Sequence, residues 1–248
     1  MTMRAVILAG GKGTRLAPYT TVFPKPLMPI GEEPILEIVI KQLRHYGVNR
    51  ITLAVGHLAE LIKAYFGDGS RHGVEITYSR EDKPLGTAGP LALIPDLDET
   101  FLVVNGDLLT TLNFGHLIEY HKLSNAVVTL AAYERSIRSE FGILDIDGEF
   151  RVRGYCEKPL QKHRVSMGIY VFNPAALKFL EANVRFDLPD LVLRLMGQDQ
   201  KVSAYLFDGY WLDIGRAEDY QAALDQFPRI RAQLLHEGEK ITNPTDQA

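Results

Sequence analysis

Apolar and polar positions alternate along the first part of the chain in a way that predicts regular structure. Short apolar runs bounded by glycine or polar residues are typical of buried strands, whereas apolar residues three or four positions apart are typical of helices. The pattern predicts strands at 3–9, 50–55, 74–79 and 100–105, and helices at 34–46, 58–66 and 88–94. Strands that alternate with helices favour a mostly parallel sheet covered on both faces.

From Ala126 onward the pattern changes, because strand-like runs follow one another with few helices between them. Asp147-Gly148 is a tight hairpin signal. We interpret this part as a small antiparallel or mixed insertion on the same sheet. The predicted strands are 126–133, 142–146, 150–156, 166–172, 202–207 and 210–212, and the predicted helices are 174–180, 188–197 and 217–227.

The predicted fold class is therefore α/β: a Rossmann-like, mostly parallel sheet flanked by helices, with the antiparallel insertion. With 248 residues, 46% of them hydrophobic, the chain can bury a sizeable core. We assign 1–228 to a single domain and 229–248 to a polar C-terminal extension that frays from about Glu237.

Composition excludes several classes of protein. The net charge is −4, and no block of Lys and Arg provides the footprint of a nucleic-acid-binding protein. The single cysteine, Cys156, excludes an internal disulfide framework and a cysteine zinc cluster. No run approaches the roughly 18 apolar residues of a membrane span, and Ala5–Ala9 is too short for a signal peptide. We expect a cytoplasmic protein without a nucleic-acid or membrane partner, and leave open whether it forms a homo-oligomer.

A glycine-rich loop, LAGGKGTRL, follows the first predicted strand. Three glycines in four positions expose backbone N–H groups to a phosphate chain, and Lys12 and Arg15 add positive charge. The loop lacks the third glycine of a dinucleotide fingerprint, because Leu16 stands there, and Gly13 follows Lys12 where a P-loop needs Ser or Thr. The alternative is a tight turn with solvated charges.

Prolines stiffen the next segment, and Lys25 lies between Pro24 and Pro26. The restricted backbone can direct the ammonium of Lys25 to a fixed point. The alternative is a solvated lysine on a rigid loop.

Two aspartates end predicted strands. Asp107 follows Asn105-Gly106 at the end of the most apolar strand, and Asp213 ends a second short strand. Ligands of open α/β sheets lie outside the carboxyl ends of the strands. Mg²⁺ is commonly held by one or two carboxylates together with substrate phosphates. As alternatives, Asp107 is a turn or cap residue and Asp213 caps the helix that begins near Arg216.

The stretch GGKGTRLAPYTTVFPKPLMPIGEEP resembles the signature of the sugar-1-phosphate nucleotidyltransferases, also called nucleotide-sugar pyrophosphorylases. Similarity continues in pieces to about Ala222. The resemblance implies that an NTP and a sugar 1-phosphate are the substrates, that an NDP-sugar and pyrophosphate are the products, and that Mg²⁺ is the cofactor.

Site residues follow from the same resemblance. It implies that Lys12 and Arg15 bind the triphosphate, that Lys25 contacts the transferring phosphates, and that Asp107 and Asp213 hold the metal. We expect Arg15, Lys25 and Asp107 to be catalytic. The expected nucleotide-binding residues are Leu8, Ala9, Gly10, Gly11, Lys12, Gly13, Thr14, Arg15, Glu81, Pro84, Gly86, Thr87, Asn105 and Gly106.

The sugar side resembles the family in two motifs and departs from it in one residue. Glu157-Lys158-Pro159 matches the family's E-K-P, and an interior strand glycine, Gly168, often marks a close approach. Ser166 replaces the usual asparagine of N-x-G-x-Y, which puts that sugar contact in doubt. The alternative for Glu157 and Lys158 is an exposed ion pair. The expected sugar phosphate-binding residues are Lys25, Gly142, Glu157, Lys158, Ser166 and Gly168.

Glu81 bears on the choice of base. Relatives that use dTTP or UTP commonly carry glutamine there, whereas a carboxylate only accepts hydrogen bonds and suits the two adjacent donors of guanine. The string PLGTAGP also most resembles mannose-1-phosphate guanylyltransferases. The favoured substrates are GTP and mannose 1-phosphate or a manno-configured sugar. A thymidylyl- or uridylyltransferase for glucose 1-phosphate or an amino-sugar 1-phosphate remains open.

Two other classes of function remain open. One is a different nucleotide-dependent enzyme, such as a kinase or dehydrogenase, and the other is a catalytically silent, nucleotide-sugar-binding regulatory subunit. Many members of the family carry a β-helix of hexapeptide repeats. About 20 residues follow the last predicted helix, so we expect no such acyltransferase domain here.

Overall fold

The structure, a computed structural model, describes residues 3–238. Its first half contains α1 (Ile35–His45), α2 (Ala59–Phe66) and α3 (Phe114–Ser124), with strands β1 (Arg4–Ala9), β2 (Pro29–Ile30), β3 (Glu33–Pro34), β4 (Arg50–Val55), β5 (Glu75–Arg80), β6 (Phe101–Asn105) and β7 (Leu108–Thr110). Its second half contains α4 (Leu188–Gly197) and α5 (Ala217–Leu235), with strands β8 (Val128–Arg138), β9 (Ile143–Ile146), β10 (Val152–Cys156), β11 (Leu160–Phe172), β12 (Val202–Phe207) and β13 (Trp211–Asp213).

The main sheet confirms the predicted fold class. Its seven strands lie in the order β12-β8-β11-β6-β1-β4-β5. Strands β6, β1, β4 and β5 are parallel neighbours, as are β8 and β12. Strand β11 is antiparallel to both β6 and β8, so it alone reverses direction within this sheet. Strands β7 and β13 form a separate antiparallel pair beside the sheet.

Both faces of the main sheet are buried. Alternate residues of β1 show this, because Ala5 and Ile7 belong to one apolar cluster and Val6 belongs to another. Helices α1, α2 and α3 cover the first face, and α4 with short 3-10 turns covers the second. A third cluster, which includes Ile214 and Phe227, joins α5 to the proline-rich segment after the glycine-rich loop.

The outer halves of β8 and β11 extend beyond the other strands of the main sheet. Together with the segment between them in sequence, which includes the hairpin β9–β10, they form what we call the arm. Residues 133–138 pair with 160–165. The arm is largely exposed; it carries ion pairs such as Lys162 Nζ to Glu134 Oε1 at 2.6 Å and also exposed apolar side chains such as Phe150 and Val152. The predicted antiparallel insertion is therefore confirmed, although both outer strands are longer than the apolar pattern indicates.

Several elements differ from the sequence prediction. Strand β7 and helix α3 were not predicted. The apolar face of α3 is narrow, and the start of this helix is capped by Asn113, whose side chain accepts the His116 N–H at 3.0 Å. The segments 89–93 and 174–179 are 3-10 turns instead of α-helices. Helix α5 continues through Pro228, where the prediction had ended it, because Leu234 extends its buried face. Residues 239–248 of the predicted extension lie outside the described residues.

Within residues 3–238, no helix is long and apolar enough to cross a membrane.

Candidate active site

A cleft of about 750 Å³ opens at the carboxyl ends of β1, β4, β5 and β6. The glycine-rich loop, Lys25 and the segments that follow these strands line it. The following predicted nucleotide-binding residues all lie in this lining: Leu8, Ala9, Gly10, Gly11, Lys12, Gly13, Thr14, Arg15, Glu81, Pro84, Gly86, Thr87, Asn105 and Gly106. The structure thus brings this set together in one cleft, as sheet topology leads one to expect.

The glycines of the loop serve different purposes. Gly13 has φ +61°, and a Cβ there would lie 2.9 Å from Thr20 Cγ2, so no larger residue fits without strain. The Thr20 hydroxyl also donates to the Gly13 carbonyl at 2.7 Å, which fixes the loop. A Cβ on Gly11, by contrast, would meet no heavy atom within 4 Å. Gly13 therefore shapes the loop, whereas Gly11 leaves room for a ligand.

Lys25 is buried, and its ammonium is paired with Asp107 Oδ2. A 3-10 turn holds the lysine, with the Leu27 N–H donating to the Pro24 carbonyl at 2.9 Å. The prediction of a directed lysine is confirmed in its geometry, and the alternative of a solvated lysine is wrong. Its partner was not predicted, because 82 residues separate Lys25 and Asp107 in sequence.

Asp213 lies next to Asp107 although it does not line the cleft. Strand β13 pairs with β7 so that Asp213 is opposite Leu108, and the Ile214 N–H donates to the Asp107 carbonyl at 3.1 Å. Desolvation raises the pKa of the Asp213 carboxyl, and the charge of Asp107 raises it further, whereas Lys25 and Arg15 lower it. The two carboxylates are therefore close enough for the charge of one to act on the other.

Arg15 completes this charged centre. A Cβ on Gly215 would lie 3.5 Å from Arg15 Nη1, so the guanidinium packs over the chain between β13 and α5. Capping of α5 falls to Asp219, which accepts the Arg216 N–H at 2.8 Å, so the alternative cap role of Asp213 is not used. The structure thus brings the two basic residues and two aspartates together from four segments of the chain.

The centre suits a divalent cation. Asp107 Oδ1 is buried without a hydrogen-bond partner among the described residues, and Asp213 supplies a second carboxylate. No group of three or more His, Cys, Asp or Glu residues within 3–238 could hold a metal. A cation here would therefore need additional oxygens from phosphate or water, as Mg²⁺ commonly does.

Glu81 stabilises the loop at the far side of the cleft. Its Oε2 accepts the Leu85 N–H at 2.9 Å. A Cβ at Gly56 or Gly10 would lie 2.9 or 3.1 Å from its Oε1, so the carboxylate lies across these two glycines. Sequence reasoning missed Gly56, and its position directly after β4 was the available signal.

Thr87 lines the cleft, but its hydroxyl is directed to the start of α4. It accepts the Leu188 N–H at 2.7 Å and lies 3.3 Å from Asp187 Oδ1. The Asp187 carboxylate also accepts the Thr87 N–H at 3.0 Å. Thr87 therefore anchors the predicted base-binding loop to α4, and its side chain is already hydrogen-bonded.

Gly142, Glu157 and Lys158 lie on the exposed arm and do not line the cleft. Gly142 and Glu157 meet around Tyr155, whose hydroxyl donates to Glu157 Oε2 at 2.6 Å. A Cβ on Gly142 would lie only 2.3 Å from that hydroxyl. Sequence reasoning missed Tyr155, although it stands only two residues before Glu157, near the end of β10.

Ser166 and Gly168 lie where the arm joins the main sheet. The pairing of β11 with β8 shifts between Ser166 and Tyr170, and Gly168 has φ +74°. A Cβ on Gly168 would lie 2.4 Å from Asn105 Nδ2, so what approaches this glycine closely is a side chain, whereas the sequence pattern predicts a ligand or another backbone. The Ser166 hydroxyl lies 3.0 Å from that of Tyr170, so it already has a partner within the protein.

Comparisons with known proteins agree with this geometry. The family described as Nucleotidyl transferase matches residues 4–229. A UTP–glucose-1-phosphate uridylyltransferase from Synechocystis sp. is 35% identical over 242 residues, covering 90% of this chain and 62% of that protein. A mannose-1-phosphate guanyltransferase from Yarrowia lipolytica is 34% identical over 231 residues, covering 88% and 62% respectively. The chain thus spans 62% of the length of these two relatives.

Among solved structures, HddC from Yersinia pseudotuberculosis complexed with GMP-PN superposes with a TM-score of 0.71. HddC is 27% identical to this chain, and the match covers 91% of this chain and 100% of the HddC chain. The resemblance found in the sequence is confirmed at the level of the family.

Proposed function

Because the chain belongs to the nucleotidyl transferase family, we propose that it transfers a nucleotidyl group from an NTP to a sugar 1-phosphate. The observation that carries the proposal is the charged centre at the edge of the cleft. Arg15, Lys25, Asp107 and Asp213 meet there beside a loop of exposed backbone N–H groups. Such a centre suits a triphosphate and a transfer of phosphorus between oxygens.

In the proposed reaction, an oxygen of the sugar phosphate forms a bond to the α-phosphorus as the bond to the bridging oxygen of pyrophosphate breaks. The electron pair of that bond leaves with pyrophosphate, so no protein nucleophile is needed. Arg15 and Lys25 would hold the phosphates in line and neutralise the charge that develops on their oxygens. The glycine-rich loop would bind the remaining phosphate oxygens through its N–H groups.

Asp107 and Asp213 would hold Mg²⁺. The unpartnered Oδ1 of Asp107 and the adjacent carboxylate of Asp213 support this assignment. When bound, the cation would neutralise charge on the transferring phosphates.

We propose GTP as the nucleotide and mannose 1-phosphate, or a manno-configured sugar 1-phosphate, as the acceptor. Glu81 supports a guanine base, because its carboxylate lines the cleft and only accepts hydrogen bonds; one of its oxygens, Oε2, also accepts the Leu85 N–H. The guanyltransferase from Y. lipolytica and the GMP-PN complex of HddC also favour guanine. From the arm, Glu157 would accept hydrogen bonds from hydroxyls of the sugar, and Lys158 would contact its phosphate.

A second candidate uses UTP or dTTP with glucose 1-phosphate or an amino-sugar 1-phosphate. The uridylyltransferase from Synechocystis sp., at 35% identity, favours it. A pyrophosphate-release screen of four NTPs against mannose, glucose and amino-sugar 1-phosphates separates the two candidates, with products identified by mass spectrometry. Release only with GTP and a manno-configured sugar supports our proposal, whereas release with UTP or dTTP and glucose 1-phosphate supports the second candidate.

The same screen tests the silent regulatory subunit. Failure of every pair to release pyrophosphate, combined with tight binding of an NDP-sugar in calorimetry, would rule out the proposed enzyme. Asp107→Asn serves as the inactive control, because it removes the carboxylate without changing the size of the side chain.

A further inference from the structure

Lys25 and Asp107 form the most enclosed ion pair of the charged centre. Only 10% of the Lys25 side chain and 25% of the Asp107 side chain are exposed. Partly buried ion pairs are screened by salt less than exposed ones, so the attraction between this ammonium and this carboxylate is weakened little by salt. The Lys25 ammonium is thus paired with the carboxylate of Asp107, which the proposed function assigns as a ligand of the cation.

The acidic pair needs a positive partner in the nucleotide-free protein. Asp107 and Asp213 are close enough for Asp107 to raise the pKa of Asp213, and Lys25 and Arg15 are the basic residues that oppose this effect. Lys12 lines the same cleft, but among the described residues it is Lys25 that forms the ion pair with Asp107. Lys25 is therefore the direct counter-ion of the pair.

A phosphate chain would change this balance. Lys25 lines the cleft together with the glycine-rich loop, so phosphate oxygens bound by the loop would lie within the same space as its ammonium. Phosphate oxygens are strong acceptors for an ammonium. Transfer of the ammonium to phosphate would free both oxygens of Asp107, of which Oδ1 has no partner among the described residues.

We infer that Lys25 is an internal counter-ion that holds Asp107 in the nucleotide-free protein, so that a divalent cation gains this carboxylate only when a triphosphate draws the ammonium away. The inference rests on the proposed function in that cation and triphosphate share one centre. By linkage, the triphosphate and the cation would strengthen each other's binding by the same factor.

Binding of Mn²⁺ alone, measured by the electron paramagnetic resonance signal of the free ion, tests the inference without nucleotide or sugar. Lys25→Gln removes the ammonium, so the variant should bind Mn²⁺ at least about tenfold more tightly than the unchanged protein. Lys25→Arg keeps the charge and should bind as weakly as the unchanged protein. The matched control Lys12→Gln removes a charge from the same cleft and should change the affinity by less than about threefold.

A double variant shows which carboxylate is responsible for the tighter binding of Mn²⁺. Lys25→Gln combined with Asp107→Asn should lose the tighter binding, since the freed carboxylate is gone. The inference fails if Lys25→Gln binds Mn²⁺ no more tightly than the unchanged protein. It also fails if the gain persists without Asp107, because the ion would then bind elsewhere.

A second measurement uses the unchanged protein, in case Lys25→Gln does not fold. Nitrogen-15 resonances of the lysine ammonium groups, assigned by Lys25→Arg, report the ion pair directly. Mg²⁺ alone should leave the Lys25 resonance in place, whereas Mg²⁺ with inorganic tripolyphosphate should shift it. A shift of equal size with Mg²⁺ alone overturns the inference.

These outcomes are separable from those of the proposed function. The Mn²⁺ and resonance measurements require no turnover, so they can succeed for a chain that releases no pyrophosphate. Conversely, if the protein is an active enzyme but its Lys25→Gln variant binds Mn²⁺ with unchanged affinity, the proposed function stands and the inference that Lys25 is a counter-ion fails.

Discussion

The cleft and the arm differ in how firmly the protein holds their functional side chains. In the cleft, Lys25 is buried, and the loops that carry the site are tied to the ends of buried strands. On the arm, Tyr155 is 64% exposed and Phe150 at the hairpin tip is 89% exposed. Charges fixed by a packed core lose little freedom when substrate binds, whereas exposed side chains must still be ordered. The Lys25–Asp107 part of the cleft is therefore the part that is preorganised for phosphate, since Lys12 and Arg15 are exposed, and the arm is the part whose contacts can vary with the sugar.

The strongest test of this comparison removes one charge from the cleft. Asp107→Asn should lower kcat by about 10²–10³-fold, because a group that neutralises charge in the transition state is lost. Pyrophosphate release at saturating substrate provides the measurement. The control Asp98→Asn removes an exposed carboxylate before β6, at the other end of the sheet, and should leave kcat unchanged. Near-normal turnover of Asp107→Asn would remove Asp107 from the catalytic set.

The junction between the two regions should also tolerate little change. Gly168→Ala should lower the free energy of unfolding by about 1–3 kcal/mol, because φ is +74° and the new Cβ would meet Asn105 Nδ2 at 2.4 Å. Urea unfolding measures the loss. Gly148→Ala in the hairpin is the matched control, since its Cβ would meet nothing within 4 Å. Equal stability of the two variants would contradict the strained contact.

On the arm we expect smaller, substrate-specific effects. Glu157→Gln should raise KM for the sugar 1-phosphate by about tenfold, and Tyr155→Phe by about threefold, because the latter removes only the 2.6 Å hydrogen bond that orients Glu157. KM for the NTP should stay constant in both. If Tyr155→Phe raised both KM values together, Tyr155 would support the fold and not the sugar contact.

The smallest expected effect is on the pH dependence of stability, and a comparison of two histidines tests it. Burial lowers the pKa of His121, which packs under β8 with Nδ1 2.8 Å from Thr129 Oγ1. The unfolded chain therefore binds the proton first, so the stability due to neutral His121 is present above pH 6.5 and is lost as the pH falls through the lowered pKa.

Urea unfolding at pH 7.5 and 5.5 measures this loss. His121→Asn should reduce the pH dependence of stability, whereas His163→Asn on the exposed outer half of β11 should leave it unchanged. The same pH dependence in both variants would show that burial of His121 has no linked effect.

Sequence patterns predicted the core and failed where partners are remote in sequence. Apolar runs defined β4 and β12 to the residue. Strand β4 is buried on both faces and so has few polar positions, whereas β12 is an edge strand that is only partly buried. The outer halves of β8 and β11 were missed, since polar residues such as Glu134 and Lys162 give them no apolar alternation. Backbone pairing and cross-strand ion pairs stabilise these segments instead.

The site shows the same division. Residues at strand ends, such as Asp107, were predicted because topology gathers them at one edge. The partner of Lys25 and the contact between Gly168 and Asn105 depend on register and on side-chain direction, which no local pattern contains. Likewise, the sequence shows that Ser166 stands where the family usually has asparagine, but not that its hydroxyl lies beside the hydroxyl of Tyr170.

The position of α5 has a consequence for the order in which the protein is made. Tyr220 of this helix donates to the Pro29 carbonyl at 2.7 Å, and Phe227 fills the space beside Gly31, where a Cβ would meet its ring at 2.8 Å. The segment that follows Lys25 therefore gains its support from residues made some 190 positions later on the ribosome. A nascent chain that has already formed β1 to β6 would still lack Asp213 and this support. The phosphate pocket that begins at the glycine-rich loop is therefore completed only by a segment that is made much later than that loop.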